Sequence, residues 1–150
     1  MKTVIIYASK YGMTKKLANI VVRHRTNVHL YSIKEWTKDI GDYDEIVLGT
    51  PIYAGKINKK IKKMITKNEE ILLNKTVRIF ICGMMPDNED EVIAFNFSKG
   101  IQEHAKIKYI GGAYQFTKMN WLFKMIVRQI AKTNEDQEVI IEQNITELLQ

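Results

Sequence analysis

Short apolar runs rich in β-branched residues alternate along this chain with stretches whose apolar residues recur at helical spacing. Residues 3–8 (Thr-Val-Ile-Ile-Tyr-Ala) form an unbroken run of the kind buried on both faces of a parallel sheet. Further runs at 27–31, 44–49, 76–82 and 107–113 read as four more strands. Between them lie helical stripes: Leu17, Ile20, Val21 and His24 within 14–25; Ile57, Ile61, Met64 and Ile65, with Lys59, Lys60, Lys62 and Lys63 outside the stripe; and Ile93, Phe97 and Ile101 on one further helix. Alternation of this kind predicts an α/β fold, a doubly wound five-stranded parallel sheet with right-handed crossovers and helices on both faces. At 150 residues, with no repeat or linker-like segment, the chain reads as a single domain spanning 1–150.

The last third adds something a five-stranded domain does not need. Residues 118–132 are helical in pattern, 137–142 read as another short strand, and Asn144 with Glu147 reads as a capping-box pair opening a final helix. The expectation is a helical insert in or beside strand five.

Charge narrows the function classes. Twenty-three basic residues against seventeen acidic give a net +6. The first carboxylate is Glu35, preceded by Lys2, Lys10, Lys15, Lys16, Arg23, Arg25 and Lys34. A one-sided field of this sort suits an anionic partner. Nucleic acid is disfavoured, because no recognition motif and no interleaving of aromatic and basic residues on a strand accompanies the charge. The longest stretch without a charged residue runs only from Ile46 to Gly55, too short for a membrane-spanning helix. The opening apolar run is also too short for a signal peptide, and the single Cys82 makes no internal disulfide, so a cytoplasmic location is expected. His24, His29 and His104 are scattered, which predicts no metal site.

Open α/β sheets bind ligands beyond the carboxyl ends of their strands, where strand order reverses. The turn after strand one, Ser9-Lys10-Tyr11-Gly12-Met13-Thr14, joins a buried strand to a helix start. Main-chain amides, the helix dipole, two hydroxyls and Lys10 converge there, with no carboxylate nearby, as a phosphate site requires. An ordinary capped helix start is the competing explanation, Thr14 being a good N-cap. Neither G-x-x-x-x-G-K-[ST] nor G-x-G-x-x-G occurs, so an NTPase P-loop and a dinucleotide fingerprint are both absent. A phospho-acceptor receiver domain needs acids where Tyr7, Ala8 and Thr50 stand.

The first turn resembles the flavodoxin phosphate loop, [ST]-x-T-G-x-T, with Tyr11 at the third position. Gly49-Thr50-Pro51-Ile52-Tyr53-Ala54-Gly55 resembles the second flavin loop, and Gly83-Met84-Met85-Pro86 stands in the place of the third. The resemblance implies strand order 2-1-3-4-5 and one FMN, its phosphate on the first turn and its ring between the second and third loops. Tyr53 is the better candidate for an aromatic wall, with Tyr11 either a second wall or turned outward. Ile110-Gly111-Gly112-Ala113, followed by Lys118, Trp121, Lys124, Ile126, Arg128, Ile130 and Lys132, resembles the menaquinone-dependent protoporphyrinogen oxidases of the same superfamily. That implies oxidation of a porphyrinogen of haem biosynthesis, with electrons passed through FMN to a quinone; the alternative is a soluble flavodoxin carrier, serving a redox partner protein, with no substrate of its own. No acid or base catalyst is implied, since the flavin supplies the chemistry.

On a helical wheel, Met119, Leu122, Phe123, Ile126, Val127 and Ile130 share the arc expected to face protein. Lys118, Trp121, Lys124, Met125, Arg128 and Lys132 share the other. A Trp and a Met among four cations suit a surface that meets an anionic membrane at its inner face or receives a carboxylated apolar substrate. A solvated helix with Trp121 folded over a neighbour is the plainer alternative.

Overall fold

The computed structural model describes residues 1–114, 121–131 and 136–150. Strand β1 (Thr3–Tyr7) lies between β2 (Val28–Ser32) and β3 (Glu45–Tyr53), parallel to both. β4 (Lys56–Ile57) folds back antiparallel on the end of β3, and β5 (Thr76–Cys82) lies parallel to β3 on its far side. β6 (Lys106–Tyr114) continues the parallel sheet, and β7 (Gln137–Ile140) closes it antiparallel. The order β2-β1-β3-β5-β6-β7 contains the five expected parallel strands in the expected sequence.

Successive strand residues point to opposite faces, so each central strand feeds two cores. Val4, Ile6, Ile46, Leu48, Ile79 and Ile81 pack with Ile61, Met64 and Ile65 of helix α2 (Lys59–Lys67) and Leu72 of α3 (Glu69–Leu72). Val92 of α4 (Glu89–Asn96) and Ile101 of α5 (Lys99–His104) complete that side. Ile5, Val47 and Phe80 turn the other way, onto Leu17, Ala18 and Val21 of α1 (Met13–Val22) and Ile145 and Leu148 of α7 (Glu142–Leu149). Helix α6 (Trp121–Ala131) lies in the chain between β6 and β7.

Several boundaries differ from the sequence reading, each for a local reason. Ile93, Phe97 and Ile101 do not share one helix: the backbone is extended at Phe97, and Ser98 caps a new helix by accepting from the Ile101 amide at 3.2 Å. β3 does not turn at Gly49-Thr50-Pro51 but runs on to Tyr53, with Pro51 registered against Cys82. The final helix begins at Glu142, not at a capping box: no side chain caps it, and Asn144 instead donates to the Tyr109 carbonyl at 2.8 Å.

Under the sheet, Glu45 ties the amino ends of the strands to the carboxyl end of α7. Its buried carboxylate receives Arg25 Nε and Arg78 Nε, each at 2.6 Å, and Thr3 Oγ1 at 2.9 Å. Arg78 Nη1 also reaches the carbonyls of Leu148 at 2.5 Å and Gln150 at 2.9 Å. Burial alone would push the Glu45 pKa up; the hydrogen bonds from Arg25, Arg78 and Thr3 overcome it and hold the group at about 2.

Candidate functional site

The carboxyl ends of β1, β3, β5 and β6 open on one cavity of about 410 Å³. The first turn forms one wall. Ser9 Oγ accepts from the Gly12 amide at 3.1 Å, and Gly12 takes φ 101°, a left-handed value glycine adopts without strain. Helix α1 then starts at Met13, so Gly12 rather than Thr14 stands at the cap. No side chain caps this helix and its first turn has no acid; its first main-chain bond runs from Lys16 N–H to Gly12 O at 3.0 Å. The amides of Met13, Thr14 and Lys15 precede that bond, and the positive end of the helix dipole stands beside Ser9. The buried Thr14 hydroxyl is hydrogen-bonded to Cys82; burial drives the Cys82 thiol up to about 11, with the Thr14 bond opposing, so the thiol stays protonated.

The second wall is the β3–β4 hairpin. Tyr53 pairs with Lys56, and the two residues between them both take positive φ, Ala54 at 51° and Gly55 at 76°. That is the turn whose twist matches a two-residue hairpin, and it strains any residue but glycine or asparagine at its first position. Asn96 of α4 holds it in place. Its side chain accepts from the Ile57 amide at 3.0 Å and donates to the Gly55 carbonyl at 2.8 Å. Thr50, fully buried, works from behind: its hydroxyl donates to the Pro51 carbonyl and accepts from the Asn58 amide, both at 2.9 Å.

Tyr11 does not turn outward. Its ring meets Tyr53 edge to face, with centroids 6.3 Å apart, and the Lys10 ammonium lies 5.2 Å from the Tyr11 centroid and 5.8 Å from that of Tyr53. Burial pushes the Tyr53 phenol pKa upward, reinforced by Tyr11 and Cys82, so it remains neutral. The third wall is Gly83-Met84-Met85, drawn against β6 so closely that a Cβ on Gly112 would lie 2.2 Å from the Gly83 carbonyl oxygen.

Most of the expected cofactor residues line this cavity: Ser9, Lys10, Tyr11, Met13, Thr14, Pro51, Ile52, Tyr53, Ala54, Gly55, Gly83, Met84 and Met85. Gly12, Thr50 and Pro86 are not on the lining: Gly12 is the exposed cap of α1, Thr50 a buried brace, and Pro86 the exposed start of a 3₁₀ turn. Sequence reasoning missed Asn88, Val92, Ala113, Tyr114 and Val127 on the lining and Asn96 behind it. Among the described lining residues Lys10 is the one charged side chain and no carboxylate appears.

Helix α6 brings Val127 to the cavity, with Trp121 72% and Met125 50% exposed, Arg128 exposed and Lys124 half-buried. Leu122, expected to face protein, is 54% exposed: a wheel gives direction around the axis, not how far a neighbour extends along it. Lys118, Met119 and Lys132 lie outside the described residues.

A sequence model of the flavodoxin domain family matches residues 4–139. No curated protein sequence matches the chain. Among solved structures it resembles a flavoprotein in complex with FMN from Lactobacillus acidophilus (18% identity, TM-score 0.56, covering 71% of this chain and 89% of that one). It also resembles the flavodoxin of Fusobacterium nucleatum bound to flavin mononucleotide (19%, 0.53, 71% and 69%). A third likeness is to rubredoxin oxygen:oxidoreductase from Desulfovibrio gigas (14%, 0.55, 99% of this chain and 37% of that one). At these identities the likeness is one of fold. No helix among the described residues is long and apolar enough to cross a membrane.

Proposed function

We infer, because this chain belongs to the flavodoxin domain family, that it holds one FMN and transfers electrons through it. The observation that carries this is the uncapped start of α1 beside Ser9, opening on a cavity whose described lining residues include no carboxylate. Bare amides at a helix start suit a phosphate dianion, and an apolar cavity walled by Tyr53, Met84 and Met85 suits a flat aromatic ring. FMN, when bound, supplies reversible uptake of electrons and protons. The chain supplies the rest: Ser9, Gly12 and the first turn of α1 hold the phosphate, and the Asn96-braced hairpin and Gly83-Met84-Met85 shelter the ring from water.

Lys10 is the only formal charge on the described lining, so the cavity favours negative charge on what it holds. That favours accepting electrons from a substrate over acting as a strong reductant. The finer reading, which rests on the resemblance carried by residues 110–113 and 118–132, is oxidation of a protoporphyrinogen-type substrate, each round removing two electrons and two protons that convert one quinone to its quinol. In this reading the α6 surface of Trp121, Lys124, Met125 and Arg128, continued in sequence by Lys118 and Lys132, rests against an anionic membrane that supplies the quinone.

The test is anaerobic incubation of FMN-loaded protein with protoporphyrinogen IX and menaquinone, following porphyrin fluorescence. Menaquinone-dependent porphyrin formation well above the uncatalysed rate is expected. An unchanged rate, with rapid electron exchange to small redox proteins instead, would replace the oxidase by a carrier that has no substrate of its own.

A further inference from the structure

Helix α2 carries its charges against its own electrostatics. Lys59 and Lys60 occupy the first turn, at the positive end of the dipole, with Lys62 and Lys63 directly after and no acid in that turn. Like charges also stack at Lys59/Lys63 and Lys63/Lys67, four residues apart, where helices prefer opposite ones. Lys62 is offset by its bond to the Asn96 carbonyl, which leaves Lys59, Lys60 and Lys63 without a compensating contact among the described residues and makes this face a place to look for function.

The cationic face looks into a groove. Lys60, Lys63 and Lys67 form one bank of a depression of about 610 Å³, and Lys38, with Trp36, stands in the loop that lines the other. Its apolar lining includes the buried Met64 and the exposed Ile71. Among the described residues Lys60, Lys63 and Lys67 form no salt bridge to a carboxylate, while Lys38 is hydrogen-bonded to Tyr31. The one acid on the lining, Asp39, accepts from the Gly41 amide at 2.8 Å.

We propose that this groove docks an acidic segment of a partner protein, its carboxylates along Lys60, Lys63 and Lys67 and an apolar side chain against Met64 and Ile71. Charge complementarity names the occupant and shape narrows it. A concave trough with apolar side chains in its lining fits a peptide segment better than a flat bilayer. A nucleic-acid strand would want a free aromatic face, but the Trp36 ring is packed against Tyr31 and Tyr43, at 5.3 and 6.1 Å. The start of α2 also braces the hairpin of the cofactor cavity, through the Asn58 amide bonded to the Thr50 hydroxyl. The proposal goes beyond the flavin reading and does not need it.

The test is anisotropy of a fluorescein-labelled peptide of Glu, Asp and Leu, titrated with the full chain. Saturable, salt-sensitive binding is expected. It should weaken at least about tenfold in K60E/K63E/K67E and in K60Q/K63Q/K67Q, and weaken also when Ser replaces the peptide's Leu. Both variants should melt no lower than the parent and bind FMN as the parent does, which separates this outcome from any failure of the flavin site. Equal peptide affinity in parent and variants would overturn the proposal. So would lysine-dependent binding of phosphatidylglycerol vesicles or a single-stranded oligonucleotide in place of the peptide.

Discussion

The side-chain amide of Asn96 donates to the Gly55 carbonyl at 2.8 Å, joining helix α4 to the tip of the hairpin that walls the cavity. The same side chain accepts from the Ile57 amide, so one buried residue fixes both sides of the turn. Asn96→Ala leaves the buried Ile57 amide unpaired, at about 1–3 kcal/mol, and releases the exposed Gly55 carbonyl to water. A lower melting temperature is expected, together with weaker FMN binding in protein that is still folded. Unchanged FMN affinity would show that the hairpin holds its shape without this brace.

Gly112 is fixed by close approach. A methyl group there would lie 2.2 Å from the Gly83 carbonyl oxygen, and backbone cannot swing aside as a side chain can. Gly112→Ala is expected to destabilise the fold by about 1–3 kcal/mol, the usual range for overpacking, and to displace the third loop. Gly55→Ala serves as the contrast: it meets open space but keeps φ 76°, so its cost is that of the left-handed backbone alone, about 1–2 kcal/mol. Urea melts of both variants test the ordering.

The Glu45 cluster gives the fold an acid-sensitive anchor. Its pKa is about 2 in the folded chain against an ordinary 4.5, so folding favours the ionised form. The stabilisation is complete above the unfolded value and drains away as pH falls from 4.5 towards 2. Stability measured by denaturant should drop across that window, and Glu45→Gln should flatten the drop while lowering stability at neutral pH. Arg78→Met, which removes one of the two arginines on Glu45 and frees the end of α7, should cost about 1.5–3 kcal/mol, since Arg25 and Thr3 still hold the carboxylate.

Lys10 sits over the two tyrosine rings as the one charged side chain on the described lining. Removing it should disfavour the electron-rich form of the flavin. Lys10→Gln is expected to lower the midpoint potential of bound FMN by about 30 mV, equivalent to ~1.4 kcal/mol for two electrons, while Lys10→Arg holds it near the parent value. Spectroelectrochemistry against a dye standard measures the difference.

The central strands of the parallel sheet were legible because a strand buried on both faces leaves an unbroken apolar run, and β1 and β5 end where the loop residues begin. Elements set by distant contacts were less so. Asn96 carries little local signal, since the two hairpin groups it holds lie 39 and 41 positions away. Thr50-Pro51 reads locally as a turn, yet β5 and β4 give the strand neighbours that carry it on to Tyr53. The break between α4 and α5 was available in Ser98, a good N-cap, but helical spacing of apolar residues across it concealed the join. The exposure of Leu122 depends on where neighbouring elements end, which periodicity does not contain.

Titration of purified, flavin-free protein with FMN, following flavin fluorescence and the melting temperature together, tests the central claim most directly. The account predicts saturation at one FMN per chain, quenched emission beside Tyr53 and a raised melting temperature, all weakened by Ser9→Ala. Folded protein that leaves both the fluorescence and the melting temperature unmoved at saturating FMN would contradict it.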